Sequence, residues 1–178
     1  MTTARRLATL SVLAVLSPLF ACGSGGDTTP GTFAVDFPTV AAGVAVIKST
    51  TGVGLQVFAT SATGAVDGAA GGGCEALITQ ALSGMVTSKV IAQTSAPISP
   101  CDLLAGKGSL PVAYGTYAFL AVAQSSEQKV LLVGCAEQTI SSTNTNVVIP
   151  MTLVNETMSV PATTCTSLSQ ACPSGGSC

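Results

Sequence analysis

Cysteine is the residue type that brings the most chemistry to this chain. Seven cysteines are present and histidine is absent. Six of the seven are predicted to form three structural disulfides of an exported protein: Cys74, Cys101, Cys135, Cys165, Cys172 and Cys178. Without histidine and without a Cys-x-x-Cys spacing, the common zinc-ligand patterns are missing. We therefore expect no metal and no cofactor.

Spacing alone does not choose among the many pairings that six cysteines allow. Three cysteines belong to the predicted folded domain, and three belong to a cysteine-rich tail over residues 158–178. Complete pairing within the chain then requires an odd number of bridges between tail and domain. We expect the tail to be pinned to the domain, and we expect Cys135, at the end of a predicted strand, to bond Cys74 or Cys101.

The remaining cysteine follows a short apolar segment. Arg5 and Arg6 precede an apolar run over residues 7–16, and Cys22 comes shortly after it. A run of this length is too short to cross a bilayer as a helix, which needs about 20 apolar residues. It is typical of a cleaved signal peptide, predicted over residues 1–21.

The end of this leader resembles the lipobox of bacterial lipoproteins. Leu19 stands at position minus three, Ala21 at minus one and Cys22 at plus one. The resemblance implies lipidation of Cys22, so that acyl chains on this residue are the contact with the membrane. Gly23 at plus two resembles lipoproteins sorted to an outer membrane, which implies a place in the cell envelope. The alternative is an ordinary secretory leader cleaved after Ala21, with Cys22 left free or in a disulfide.

Charge excludes one class of partner. Without the leader the chain holds four lysines against eight acidic residues. Nucleic-acid binding depends on Lys and Arg that neutralise phosphates. We therefore expect no nucleic-acid partner.

The mature chain has a length that suits one domain. Residues 22–32 are rich in Gly, Ser, Asp and Thr and are predicted to be a lipidated flexible tether. Residues 33–157 are predicted to be the folded domain, followed by the tail.

Most of the domain carries strand signals separated by turns. These predict an all-β fold, a disulfide-stapled antiparallel β-sandwich of about seven or eight strands. The strand signals fall in nine short segments: 33–37, 44–48, 54–60, 85–93, 110–112, 116–123, 129–135, 137–140 and 147–154. Residues 116–135 are predicted to form a hairpin. Apolar residues in residues 74–82 instead recur at helical spacing, which predicts one short helix.

Two short stretches carry a further resemblance. Leu110-Pro111 and Gly115-Thr116-Tyr117 resemble the turn into a core strand of transthyretin-like and carboxypeptidase-regulatory-like β-sandwich domains. The order of a Phe-Pro start, Pro100 to Leu104, a Tyr-Gly strand entry and Gly134 to Ala136 is similar to that of small uncharacterised lipoproteins of social soil bacteria. The resemblance implies a sandwich fold and no activity.

Catalysis finds little support in the sequence. Without histidine, a nucleophile would need a lysine or a shifted carboxylate as its base, and the lysines and acidic residues lie scattered along the chain. Glu75 and Asp102 are the carboxylates considered for glycoside hydrolysis, and we expect them to be solvated residues beside disulfides. The few aromatic residues are expected to fill the core.

These patterns predict a non-catalytic, lipid-anchored envelope protein that acts as a structural or protein-interaction module, with an envelope protein or a glycan as its partner. The alternative is a ligand-binding or glycan-binding surface lipoprotein.

Overall fold

Seven strands and three short helices make up the part of the chain that the structure describes. The computed structural model describes residues 28–37, 41–61, 65–66, 72–155, 170 and 172. In chain order the elements are β1 (Thr28–Asp36), α1 (Ala41–Lys48), β2 (Gly52–Ala59), α2 (Gly73–Leu82), β3 (Val90–Gln93), α3 (Pro100–Leu104), β4 (Ser109–Ala113), β5 (Gly115–Gln124), β6 (Val130–Ile140) and β7 (Asn146–Leu153).

The strands follow from side chains that alternate between two faces. In β7, Val147, Ile149 and Met151 are buried while the residues between them are exposed. β5 differs, because residues 118–121 are all buried. Both faces of β5 are covered, one by the interior of the domain and the other by helix α2.

One sheet contains all seven described strands, in the order β3-β2-β5-β6-β7-β1-β4. Neighbouring strands are antiparallel except β1 and β7, which are parallel. β7 joins the two halves of the sheet, since its residues 146–150 pair with β1 and its residues 151–153 pair with β6. The two halves face each other, and the edge strands β3 and β4 come into contact.

The interior between the two halves is filled by aromatic and aliphatic side chains. Phe33 of β1 and Phe119 of β5 have ring centroids 5.2 Å apart, which links the two halves. Helix α1 contributes Val46 and Ile47 to the same cluster. The expected core role is confirmed for the phenylalanines that the structure describes, which are all buried: Phe33, Phe37, Phe58 and Phe119. Tyr114 is instead 49% exposed.

A second apolar cluster lies on the outer face of β2, β5 and β6. Leu77 and Ala81 of α2 pack there against Phe58, Leu120 and Val133. This packing holds α2 against the sheet.

The predicted all-β, disulfide-containing fold is confirmed, together with the helix expected near 74–82 and the hairpin over 116–135. The strand pairing differs from a purely antiparallel two-sheet sandwich, because the sheet is mixed and continuous through β7. Short turns impose antiparallel pairing on sequence neighbours. β1 and β7 are far apart in the chain and no short turn connects them. The local sequence therefore did not predict whether the two strands run parallel or antiparallel.

The strand expected at 44–48 is wrong, because these residues lie in helix α1. Residues 44–47 are buried consecutively, and a short apolar run of this kind does not distinguish a strand from a helix. The hydroxyls of Ser49 and Thr50 donate to the carbonyls of Ala45 and Val46, at 3.2 and 3.1 Å, and close the last turn of the helix.

The expected segment 85–93 forms a strand only over Val90–Gln93. Gln80 of α2 holds the residues before it, since its Oε1 accepts from the backbone N–H groups of Thr87 and Ser88 at 2.9 and 3.2 Å. The expected strands 129–135 and 137–140 are one continuous strand, β6. Helix α3 was not predicted.

The boundary expected at residue 33 also differs from the structure. Residues 28–32, assigned to the tether, pair with residues 109–113 of β4. Pairing with β7 begins only at Thr32. At Pro30, one side of β1 therefore has no neighbouring strand. A proline is tolerated there because no hydrogen bond from its missing N–H is needed.

Candidate functional site

The cysteines predicted to form disulfides are the first candidate site residues, and the structure pairs four of them. Cys74 bonds Cys135, and Cys101 bonds Cys172, with Cα–Cα distances of 5.4 and 5.2 Å. The expected partner of Cys135 is therefore Cys74. The lipid-attachment residue Cys22, the leader, and Cys165 and Cys178 lie outside the described residues.

The two disulfides attach different parts of the molecule. Cys74–Cys135 joins the first turn of α2 to β6, where the N–H of Cys74 also donates to Glu137 Oε1 at 3.1 Å. Cys101–Cys172 joins α3 to a residue of the predicted tail, so the tail is pinned to the domain as expected.

The carboxylates considered for hydrolysis belong to separate surroundings. Asp102 accepts from Ser99 Oγ at 2.8 Å and from Lys107 Nζ at 2.6 Å. These two hydrogen bonds, that of Lys107 first, and the nearby positive charge hold the pKa of Asp102 below its ordinary value. Glu75 is exposed on α2, which packs on β5 and β6, whereas α3 packs on β1. Asp102 thus serves the start of α3, as part of its N-terminal cap with Ser99.

Neither a metal site nor a membrane-spanning helix is found in the described part of the chain. The cysteines and carboxylates of the described residues include no group of three that could hold a metal ion. None of its helices has the length and apolarity needed to cross a membrane.

Helix α2 covers only part of the outer face of the sheet. Beyond Leu82 the chain turns at Gly84, whose φ of 74° is left-handed. Glycine adopts this conformation without strain. The rest of the outer face, towards the turn between β5 and β6, remains open.

This open region is a cleft of about 440 Å³. Gly54 of β2 and Val122 of β5, which are register partners, lie on its floor with Val130 of β6. The end of α2 and the turn after it line one part of the cleft, and residues 94–97 line another.

The loop over residues 94–97 is held at both ends by β2. The N–H of Thr94 donates to the carbonyl of Leu55 at 3.0 Å, and its Oγ1 accepts from the N–H of Leu55 at 3.2 Å. On the other side, Val53 and Ile98 exchange two backbone hydrogen bonds of 2.8 and 2.9 Å. This wall of the cleft is therefore preformed.

Four glutamines supply most of the polar groups in the cleft. Gln56 and Gln93 are register partners on β2 and β3, and Gln56 Nε2 donates to Gln93 Oε1 across a long 3.5 Å. Gln124 ends β5, and Gln128 lies in the following turn. The side chains of Gln124 and Gln128 make no hydrogen bond to any residue that the structure describes.

The lining is electrically neutral, since none of the residues that form the cleft is ionisable, and none is aromatic. Primary amides both donate and accept hydrogen bonds. The cleft therefore offers uncharged groups that both donate and accept hydrogen bonds, above a small apolar floor.

Sequence reasoning singled out none of these glutamines. One signal was present: Gln56 breaks the apolar pattern of β2 at a position facing the same side as the buried Phe58. A polar residue there indicates that the outer face is only partly covered. Gln124 and Gln128 belong to a polar segment whose sequence is typical of a hairpin loop.

Comparison with protein-family models, with curated proteins and with solved structures gives no match for this chain.

Proposed function

We propose that this protein is a non-catalytic lipoprotein of the bacterial cell envelope that binds a ligand in the glutamine-lined cleft. The observation that carries the binding role is the cleft itself, a concavity with a preformed wall and four glutamines in its lining. Concave sites with an apolar base and a few polar groups are the usual form of small-ligand sites.

The chemistry of the lining supports binding rather than catalysis. Acid–base and nucleophilic mechanisms need a group that can take or give a proton near neutral pH. The side chains of the cleft are amides, hydroxyls and hydrocarbons. A hydroxyl from Thr94 or Ser95 would have no base beside it within this lining.

The envelope location is supported by the leader and by the disulfides. Disulfides persist in oxidising compartments outside the cytoplasm. Together with the lipobox-like residues 19–22, they favour an anchor of acyl chains on Cys22, with the outer membrane as the location where the host has one.

The anchor is tested by growing cells that express the protein with a labelled fatty acid. We expect the label on the wild-type chain in the membrane fraction and its loss from Cys22→Ser. A matched Cys74→Ser variant should keep the label. Equal labelling of wild type and Cys22→Ser would contradict the proposal.

A protein-interaction module is the second candidate function. Three large apolar side chains at the end of α2, in the following turn and on β3 are exposed: Leu82 by 47%, Met85 by 69% and Ile91 by 45%. Crosslinking in the native envelope, followed by purification and mass spectrometry, separates the two functions. One protein recovered in fixed ratio favours the interaction module, whereas recovery of the bare chain or of a non-protein ligand favours the cleft.

A further inference from the structure

We infer that the cleft takes an uncharged saccharide of one to a few sugar rings. This inference rests on the proposed binding function and names its ligand class. Three properties of the cleft lead to it: its neutrality, its unused amide groups and its floor of interior strands.

Neutrality selects against charged ligands. A charged group that enters the cleft loses water and needs a partner of opposite charge, because an unpaired buried charge is costly. The lining offers no lysine or arginine to a carboxylate or phosphate, and no aspartate or glutamate to an ammonium group. The occupant is therefore an uncharged polar molecule.

The amides match hydroxyl groups. Each glutamine side chain has two N–H donors and an accepting oxygen, and a sugar hydroxyl likewise donates and accepts. The side-chain amides of Gln124 and Gln128 form no hydrogen bond with a described residue, so all their donors and acceptors are available to a ligand. Gln56 and Gln93 share only the long contact of 3.5 Å, which leaves the oxygen of Gln56 and the amide hydrogens of Gln93 for a ligand.

The floor suits a ring better than an extended peptide. Peptides that add to a sheet pair with backbone groups at a free strand edge. The strands under the cleft are interior, because β2 lies between β3 and β5, and β5 lies between β2 and β6. Their backbone groups are engaged in the sheet, so these two strands offer a peptide no free edge to pair with.

Gly54 deepens the floor. A Cβ built on Gly54 would meet only the carbonyl oxygen of Val122, at 4.0 Å. The absent side chain leaves room for the C–H face of a ring over Val122 and Val130. Because a Cβ at this position meets open space, Gly54→Val is the substitution chosen to raise the floor of the cleft. β-Branched residues also favour strands.

Protein NMR tests this ligand class directly, since the side-chain NH₂ groups of glutamines have their own signals. The lipidated mature protein in detergent micelles is titrated with maltotriose, cellotriose and triacetylchitotriose. Trigalacturonic acid, a chitosan trimer and the uncharged peptide Ala-Gln-Ala, acetylated at its N-terminus and amidated at its C-terminus, are the comparison probes. Without an aromatic platform we expect dissociation constants on the order of 1 mM.

We expect at least one neutral trisaccharide to shift the NH₂ signals of Gln56, Gln93, Gln124 and Gln128, and the charged trimers to leave them unchanged. Gly54→Val should abolish the shifts. Gln124→Ala should weaken binding about three- to tenfold, the effect of one lost hydrogen bond. Asn146→Ala, which removes an exposed amide on β7, serves as the matched control and should bind as wild type does.

Each other outcome has a distinct meaning. If the peptide shifts the glutamine signals and no saccharide does, the saccharide inference is wrong and the binding function stands. If a charged trimer binds as well as a neutral one, neutrality is not the selecting property and the inference is again wrong. If no probe shifts these signals and Gly54→Val recovers the same envelope partners as wild type, both the inference and the cleft as a functional site are wrong.

Discussion

At the scale of single residues, polar groups in this protein serve two different purposes. Ser99 and Asp102 are hydrogen-bonded to each other at the start of α3. Ser99 Oγ accepts from the N–H of Asp102 at 3.1 Å and donates to the Asp102 carboxylate. The cleft glutamines Gln124 and Gln128 have no such partner among the described residues. Polar groups with local partners indicate a structural role, and polar groups that converge on a concavity indicate recognition.

The lowered pKa of Asp102 predicts a pH dependence of stability. A carboxyl whose pKa is lower in the folded state stabilises the protein above its ordinary pKa, about 4, and loses this contribution as the pH falls through the lowered value. Asp102→Asn should therefore melt slightly below wild type at pH 7, and the two should converge once the pH has fallen below the lowered pKa of Asp102. The effect is small because the side chain of Lys107 is largely exposed and that of Asp102 is nearly half exposed.

Lys107→Met provides the matching half of a double-mutant cycle, followed by thermal melts from pH 2 to 8. It should show a smaller deficit at pH 7, because the hydrogen bond from Ser99 to Asp102 remains. The double variant should show little more than Asp102→Asn alone. A deficit of Asp102→Asn that stays constant down to pH 2 would refute the assignment.

Substitution by alanine should change the free energy of unfolding in opposite directions at Gly134 and at Gly54. A Cβ on Gly134 of β6 would lie 2.8 Å from Met151 Sδ and would also collide with the carbonyl oxygen of Pro150. Gly134→Ala should lower the free energy of unfolding by about 1–3 kcal/mol or more. Gly54→Ala should be neutral or stabilising by up to about 1 kcal/mol, because the alanine meets open space and restricts the unfolded chain.

Urea unfolding of the oxidised protein measures both glycine variants. Equal losses for Gly54→Ala and Gly134→Ala would contradict the packing described at the junction of β6 and β7.

At the scale of elements, helix α2 determines which part of the sheet is available to a ligand. Its packing on Phe58 and Leu120 and the Cys74–Cys135 bond keep it over one part of the outer face. The remaining part is the cleft. The position of α2 is thus a condition for the shape of the site.

Removal of the Cys74–Cys135 disulfide should destabilise the attachment of α2 more than it destabilises the sheet. The Cys74→Ser/Cys135→Ser double variant should lose about 2–5 kcal/mol of stability. Hydrogen exchange should show the largest loss of protection in residues 73–82, because the sheet keeps its own ladder. Exchange that rises equally in α2 and in β5 would show that the bond stabilises the whole domain rather than the helix.

Elements differed in how well the sequence predicted them, for physical reasons. The β5–β6 hairpin was predictable because a polar segment separates two apolar strands, so pairing partners are sequence neighbours. Helix α1 was mistaken for a strand because residues 44–47 are buried on all sides by tertiary contacts. The parallel β1–β7 pair joins distant segments. Gln93 and Gln128 are also distant in the chain, and both line the cleft only through the tertiary fold.

At the scale of the whole molecule, the disulfides connect domain and tail. The structure bonds Cys74 to Cys135 within the domain and Cys101 to Cys172 between domain and tail. One bridge between the two parts satisfies the odd number that complete pairing requires.

Non-reducing peptide mapping of the mature protein checks this arrangement. We expect the peptides of Cys74 with Cys135 and of Cys101 with Cys172, and complete pairing then leaves Cys165 with Cys178. Mapping after reduction and alkylation is the control that identifies each peptide. A bridge from Cys135 to any tail cysteine would contradict the structure.

The parallel pairing of β1 with β7 has a consequence for the order in which the protein folds. The two strands lie near opposite ends of the described chain, so the sheet halves cannot be joined until β7 has been made. Contacts between distant segments slow folding, because the intervening chain must be ordered first. In the export that we propose for this protein, late closure of the sheet would keep the chain unfolded while it crosses the membrane. The domain would then be completed in the compartment where disulfides form.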